Sequence, residues 1–196
     1  MTSIAYYDQH CDAFVENTAS VDMTELYTAF LSRLKSGAHI LDAGCGSGRD
    51  TRHFLKLGYR VTAIDGSVAM VRHASAFTGI TVRQLTFENL DYHAVFEGIW
   101  ACASLLHIPF SELPDVMARM SESLKNNGVW YLSFKYGEGE VSRDSRRFTN
   151  LTEDSLGRLV DGLPDITILS TWQTSDKRPD REDECWLNAL LMKQQQ

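Results

Sequence analysis

The chain has 196 residues, within the size of one domain and long enough for a full core. Its 43% apolar and 23% charged residues are ordinary for a globular protein, and a net charge of −7, from 19 basic and 26 acidic residues, argues against broad non-specific binding to nucleic acid. Cys11, Cys45, Cys102 and Cys185 are scattered with no C-x-x-C pair, so neither a metal site nor a disulfide framework is indicated.

The opening MTSIAYYDQH lacks a signal-peptide pattern and no apolar run approaches transmembrane length, so a cytoplasmic, single-domain protein is expected. From Ile4 to Lys35 the chain reads as two helices. Tyr6, Tyr7, Phe14 and Val15 form one apolar stripe, and Leu26, Phe30, Leu31 and Leu34 a second at helical spacing. Ser20, Val21 and Asp22 supply the break and an N-cap. His39 to Asp50, HILDAGCGSGRD, then joins a short buried strand to three glycines at alternate positions. Asp50 and Thr51 open a helix with an acid where the dipole favours it, and Gly58 ends it.

A strand over Tyr59 to Ile64 leads to Asp65, Gly66 and Ser67, with Ser67 capping a helix through Ala76. A third strand spans Ile80 to Leu85, and a fourth Phe96 to Ser104, followed by His107 where the active sites of open α/β sheets lie. Ser111 to Leu124 is amphipathic, with Leu113, Val116, Met117, Met120 and Leu124 on one face, and Asn126, Asn127 and Gly128 form its stop and a turn. Val129 to Phe134 is the fifth strand, and a polar stretch to Arg147 reads as a binding loop or a mobile one. A helix from Thr152 to about Gly162 and two closing strands, Ile166 to Trp172 and Glu184 to Met192, complete the chain.

Leu41-Asp42-Ala43-Gly44-Cys45-Gly46-Ser47-Gly48 resembles motif I of the class I S-adenosylmethionine-dependent methyltransferases, and the resemblance extends from about Tyr6 to the end of the chain. The glycine spacing separates it from a dinucleotide fingerprint, where Arg49 would be glycine, and from a P-loop. The resemblance implies an α/β, three-layer Rossmann-like fold. Its sheet would have seven mostly parallel strands with an antiparallel C-terminal strand. It also implies one domain over 1–196, with a helical cap at 1–36 and a core at 37–193. S-adenosylmethionine, leaving as S-adenosylhomocysteine, would lie against Asp42, Gly44, Cys45, Gly46, Gly48, Arg49, Asp65, Gly66, Met70, Phe87, Glu88 and Ala103.

Asp65 lies 17 residues past Gly48, near the offset of an acid that grips ribose hydroxyls. Thr86 stands where the related family often carries an aspartate facing adenine, which leaves Phe87 or Glu88 for that contact. Arg49 meets either the cofactor carboxylate or a neighbouring acid. Tyr6 and Tyr7 are lid residues in the resemblance, and His107 and Tyr7 are the groups available as a base.

The same topology collects Lys135, Arg143, Arg146, Arg147, Lys177, Arg178 and Arg181 at one edge, with Glu138, Glu140, Asp144, Asp176, Asp180, Glu182 and Asp183 partly offsetting them. Either these charges pair among themselves, contributing little, or Arg147 and Arg178, with Lys135 and Tyr6, hold an anionic small-molecule acceptor. The family includes enzymes acting on metalloid oxyanions, which Gly48-Arg49-Asp50 resembles, and on small carboxylates. The alternatives are a tRNA or protein methyltransferase and a non-catalytic S-adenosylmethionine-binding module. Oligomeric state is not legible in the sequence.

Overall fold

The structure, a computed structural model, describes residues 2–178, 181 and 183–195. Pro179, Asp180 and Glu182 of the last charged connection, and Gln196 of the tail, lie outside the described residues. Seven strands form one sheet: β1 (His39–Ala43), β2 (Arg60–Asp65), β3 (Arg83–Gln84), β4 (Phe96–Ala101), β5 (Leu124–Lys135), β8 (Ile166–Ser175) and β9 (Cys185–Lys193). Their order is β3-β2-β1-β4-β5-β9-β8, and β9 runs antiparallel to both of its neighbours. This is the expected seven-stranded, mostly parallel Rossmann-like sheet.

Period-two alternation along the central strands builds the three layers. Ile40, Trp100, Tyr131 and Leu190 face one side with Tyr27, Phe30 and Phe54. These last three come from α3 (Thr24–Leu31) and α4 (Arg49–Lys56). Leu41, Ile99, Trp130, Leu132, Ala189 and Leu191 face the other side. There they meet Leu113, Met117 and Met120 of α6 (Leu113–Ser123) and Leu156 and Leu159 of α7 (Glu153–Val160). The helix α5 (Val68–Thr78) is capped as expected, with Ser67 Oγ accepting from the Met70 amide at 3.2 Å.

Four local expectations change. The N-terminal segment holds three helices: α1 (Ser3–Gln9), α2 (Cys11–Thr18) and α3. The break falls at His10, whose ring stacks on Tyr6 at 4.1 Å while its Nδ1 contacts the Tyr6 carbonyl at 2.9 Å, a side-chain bond added to the backbone one that ends α1. The third strand shrinks to Arg83–Gln84, because Ile80 and Val82 are spent packing beside α5. The Asn126–Gly128 stretch is not a separate turn. Strand β5 already pairs Leu124 with Phe96 and resumes at Val129 with Gly98, so these residues form a bulge with Asn127 at φ 62°.

The polar stretch before Arg147 is a hairpin, β6 (Glu140–Arg143) and β7 (Arg146–Thr149). Its two central residues, Asp144 and Ser145, have φ of 51° and 61°, the tight-turn geometry whose twist matches paired strands. Among the described residues no helix is long and apolar enough to cross a membrane.

Phe30 is fully buried where α3 meets the sheet, ringed by Phe54 at 6.0 Å and Trp100 at 5.3 Å. Phe30→Ala is expected to lower unfolding free energy by about 3–5 kcal/mol, read as a reduced urea midpoint at unchanged slope.

Candidate functional site

The chain leaves β1 toward β2 on one side and returns through β4 on the other, which opens a crevice at the C-terminal ends of these strands. A cavity of about 720 Å³ sits there, in the size range of small-molecule sites. Its floor is the loop after β1. Gly44 has φ +79°, and a Cβ there would come within 2.5 Å of Ser104 Cβ and 3.2 Å of the Phe87 ring. Bare backbone at Gly44 is therefore what lets the loop pack this closely against Ser104 and Phe87. Gly48 serves a different end: its φ of +80° starts α4, and a Cβ would strike Thr78 at 2.8 Å and Ala74 at 3.1 Å on α5.

Asp65, at the end of β2, closes the loop from above. Its Oδ2 accepts the Gly46 amide and its Oδ1 the Ser67 amide, each at 2.9 Å, while the residue lines the cavity. Burial pushes its carboxyl up, and these amide bonds oppose that shift. Each oxygen keeps a further lone pair able to accept from a diol.

Asp50 is the buried anchor beneath the site. Its carboxylate accepts from Arg49 Nε at 2.6 Å, Arg49 Nη2 at 3.0 Å, Tyr27 Oη at 2.5 Å and Trp100 Nε1 at 2.8 Å. Burial works against charge on both partners, but the Arg49 charge and the donated bonds outweigh it, so Asp50 is held below the usual carboxylate range. Arg49 Nη1 also reaches the Thr18 carbonyl at the end of α2, at 3.1 Å. Of the two readings of Arg49, pairing with the neighbouring acid is the one this structure has. Asp42 lies close by, fully enclosed. Burial and then the Asp50 charge push its carboxyl up, while Thr51 Oγ1 donates to it at 2.5 Å.

The cap helices form the roof. A Cβ on Gly46 would lie 3.1 Å from Phe14 of α2, and one on Gly66 2.9 Å from Ile4 of α1, so both helices rest directly on the two loops. Asp8 ties α1 to α5 by accepting from Ser67 Oγ at 2.7 Å and the Ala69 amide at 3.1 Å.

Tyr7 reaches across the cavity, and its Oη lies 2.8 Å from His107 Nε2. His107 Nδ1 lies 2.7 Å from the Arg147 carbonyl. A carbonyl only accepts, so Nδ1 carries the proton and Nε2 accepts from the tyrosine. Burial, together with the Arg146 and Lys135 charges, lowers His107 to about 4, so the ring is neutral near pH 7. Burial pushes the Tyr7 phenol up, against the pull of Arg146.

The charged edge is mostly self-paired. Lys135 Nζ meets Glu184 at 2.6 Å, Arg147 Nη1 meets Glu140 at 2.9 Å, and Arg178 Nε meets Asp176 at 2.9 Å. The two arginines singled out as an anion grip thus already have acidic partners.

The structure brings Gly44, Cys45, Gly46, Arg49, Asp65, Gly66, Met70, Phe87, Glu88, Ala103, Tyr7, His107, Lys135, Arg147 and Arg178 to the cavity wall. Asp42, Gly48 and Tyr6 are not on it. Asp42 is turned under the loop toward Thr51, Gly48 faces α5, and Tyr6 is held between His10 and Arg146.

Among the further lining residues, Ser104, Phe14 and Arg146 had no site role assigned from sequence, Phe14 being read only as part of an apolar stripe and Arg146 only as part of the basic edge. Ser104 presents a buried Oγ without a partner, and Phe14 roofs the glycine loop. Arg146 points inward from β7, while its neighbour Arg147 is exposed. Recognition of the hairpin would have found Arg146, since alternation places it on one face with Phe148.

Residues 40–128, a little under half of the chain, match the family profile described as “Methyltransferase domain”. An S-adenosyl-L-methionine-dependent Diels-Alderase of Neonectria sp. (strain DH2) is 44% identical over 62 residues, which are 30% of this chain and 25% of that protein. A ubiquinone biosynthesis O-methyltransferase of Rhodopseudomonas palustris (strain BisB5) is 28% identical over 99 residues, 48% of this chain and 38% of that one. The chain thus spans well under two thirds of the length of either curated relative.

In structure, the 1,6-didemethyltoxoflavin-N1-methyltransferase of Burkholderia thailandensis, crystallised with 1,6-didemethyltoxoflavin and S-adenosylhomocysteine, superposes with a TM-score of 0.78 at 24% identity. The match covers 98% of this chain and 85% of that one. The fold is the Rossmann-like fold of that methyltransferase, and residues 40–128 match the methyltransferase-domain profile.

The lowered His107 makes a prediction for stability against pH. Its unfolded value is near 6.5 and its folded value about 4, so the unfolded chain takes the proton first as pH falls. The wild type is expected to lose about 3 kcal/mol from this group between pH 7 and pH 4. His107→Gln lacks that loss, so the difference between the two proteins' unfolding free energies should shift toward the variant by that amount as pH falls. A difference that stays constant with pH would show that His107 is not buried neutral.

Proposed function

We propose that this chain is an S-adenosylmethionine-dependent methyltransferase that acts on a small molecule. The observation that carries the reading is the cavity at the strand switch point, floored by the bare backbone of Gly44 and Gly46 and flanked by the Asp65 carboxylate. The loop fits the methionine part of the cofactor, Asp65 a ribose diol, and the Phe87 ring, which lies against Gly44, the adenine. When bound, S-adenosylmethionine supplies a methyl group on a sulfonium. The acceptor's lone pair forms the new bond to carbon as the carbon–sulfur bond breaks, and its electron pair stays on sulfur.

Such a displacement needs alignment and exclusion of water more than acid–base chemistry. The roof made by Ile4, Tyr7 and Phe14 serves both ends. Where the acceptor carries a proton, Tyr7 and His107 are the groups that take it. The proton goes to the Tyr7 oxygen while the tyrosine's own passes to His107 Nε2, and the Arg147 carbonyl holds the far nitrogen. With its proton affinity lowered, His107 is a weak base that suits an acidic acceptor, and an acceptor that enters ionised needs no base.

A second reading comes from the relative named as an S-adenosyl-L-methionine-dependent Diels-Alderase: a chain that binds S-adenosylmethionine and promotes a cycloaddition. Incubation with methyl-labelled S-adenosylmethionine and a cell extract, divided into small-molecule, RNA and protein fractions, separates these readings. Label in the small-molecule fraction is expected. Label in RNA or protein would redirect the acceptor assignment, and cofactor binding without transfer to any fraction would favour the cycloaddition reading or that of a non-catalytic S-adenosylmethionine-binding module.

Asp65→Ala should weaken both S-adenosylmethionine and S-adenosylhomocysteine by about 1.5–3 kcal/mol in calorimetry, the loss of bonds to a charged group. Unchanged affinity would remove Asp65 from the ribose. Tyr7→Phe is expected to lower kcat about 10²-fold when the acceptor must lose a proton, and to leave it near wild type for an acceptor that enters ionised.

A further inference from the structure

One cation in the cavity wall is arranged differently from the rest. Arg146 rises from β7 with its side chain only 12% exposed. Its guanidinium carbon lies 4.2 Å from the ring centre of Tyr6, 5.3 Å from that of Phe148 and 5.9 Å from that of Tyr7. The ring faces stabilise the charge, and the guanidinium also pulls the Tyr7 phenol down through a side-chain hydrogen bond and its charge. Its acidic contact is Nη2 to Asp144 Oδ2 at 3.2 Å, on a carboxylate that is 57% exposed and therefore screened by water. Nε is buried and has no hydrogen-bond partner.

Lys135, Arg147 and Arg178, by contrast, each hold a carboxylate at close range. A buried guanidinium donor left unpaired is costly, and it stands beside Tyr7 and His107, both neutral near pH 7. Its planar edge is suited to a two-oxygen anion.

We propose that Arg146 anchors the acceptor: boxed by Tyr6, Tyr7 and Phe148, it donates its free edge to a carboxylate or comparable oxyanion on a small molecule lying against the Tyr7–His107 pair. This rests on the methyl-transfer reading of the cavity and adds the chemical class of the acceptor. Anionic acceptors are selected by a desolvated arginine rather than by the exposed basic edge, and neutral isosteres of the same shape are rejected because they leave the guanidinium unpaired.

The test uses benzoate as the anionic probe and benzamide as its neutral isostere, titrated into the full chain with and without saturating S-adenosylhomocysteine. Wild type is expected to bind benzoate about tenfold or more tighter than benzamide. Arg146→Gln should lose that preference while keeping its affinity for S-adenosylhomocysteine, and Arg146→Lys should keep part of it.

The Arg146 Nε–H resonance, identified by its disappearance in Arg146→Lys, should move with benzoate and stay in place with benzamide. It reads the contact even where Arg146→Gln fails to fold. Equal affinity for the two probes, binding of neither, or an unmoved Nε–H resonance overturns the assignment. Failure of wild type to bind S-adenosylhomocysteine counts against the cofactor reading alone, because the probe titrations without it still report on Arg146.

Discussion

The buried carboxylate of Asp50 is the constraint around which the site is assembled. A desolvated charge persists only when it is paired and hydrogen-bonded on all sides. Asp50 meets that demand by drawing Tyr27 from α3, Trp100 from β4 and Arg49 from its own helix into one cluster. Arg49 then extends the cluster to the Thr18 carbonyl at the end of α2. The cap, the first crossover helix and the central strand are thereby fixed to each other directly below the glycine loop. Burial, and then this same charge, push the Asp42 carboxyl up, which opposes placing two like charges in one dry pocket.

Above this anchor the roof is lightly held. Neither α1 nor α2 contains a fully buried residue, and their ties to the core include polar contacts from Ser3, Asp8, Tyr7, Cys11 and the Thr18 carbonyl together with Ile4 and Phe14 resting on glycines. Elements with so little buried apolar surface lie at the low-stability end of a fold. The glycines under Ile4 and Phe14 do double duty: missing side chains let a ligand approach from the cavity and let the roof descend onto the loop.

The acceptor wall follows from charge balance. Proximity along the chain gathered many basic residues at one edge, yet most are neutralised by acids from neighbouring strands, as ordinary surface charges are. The residue that differs is enclosed by aromatic rings instead of carboxylates. The neutral Tyr7–His107 pair beside it supplies direction without adding charge, its tautomer set by the Arg147 backbone. The cation and the hydrogen-bonded pair thus stand side by side in the cavity wall.

The sequence by itself determined what depends on local periodicity and on backbone chemistry. Buried strands, the glycine loop after β1, the Ser67 cap, the acid after β2 and the seven-stranded architecture are legible because each is written in consecutive residues. The hairpin of β6 and β7 was hidden because its turn, Asp144-Ser145, carries no glycine to announce positive φ. The extra break at His10 comes with a side chain bonding a carbonyl four residues back.

Only the tertiary structure decided which charges pair and which face the cavity. Asp42, Asp50 and Asp65 look alike as carboxylates after strands or at helix starts. Packing pushes the first up under the loop and makes the second an ionised hub and the third a loop clasp at the cavity. Arg146 and Arg147 are adjacent in sequence and opposite in environment, because a strand turns successive side chains to opposite faces and only one face is enclosed by aromatic rings contributed from more than a hundred residues away. Desolvation is a property of the assembled surroundings, so residue type and spacing do not encode it.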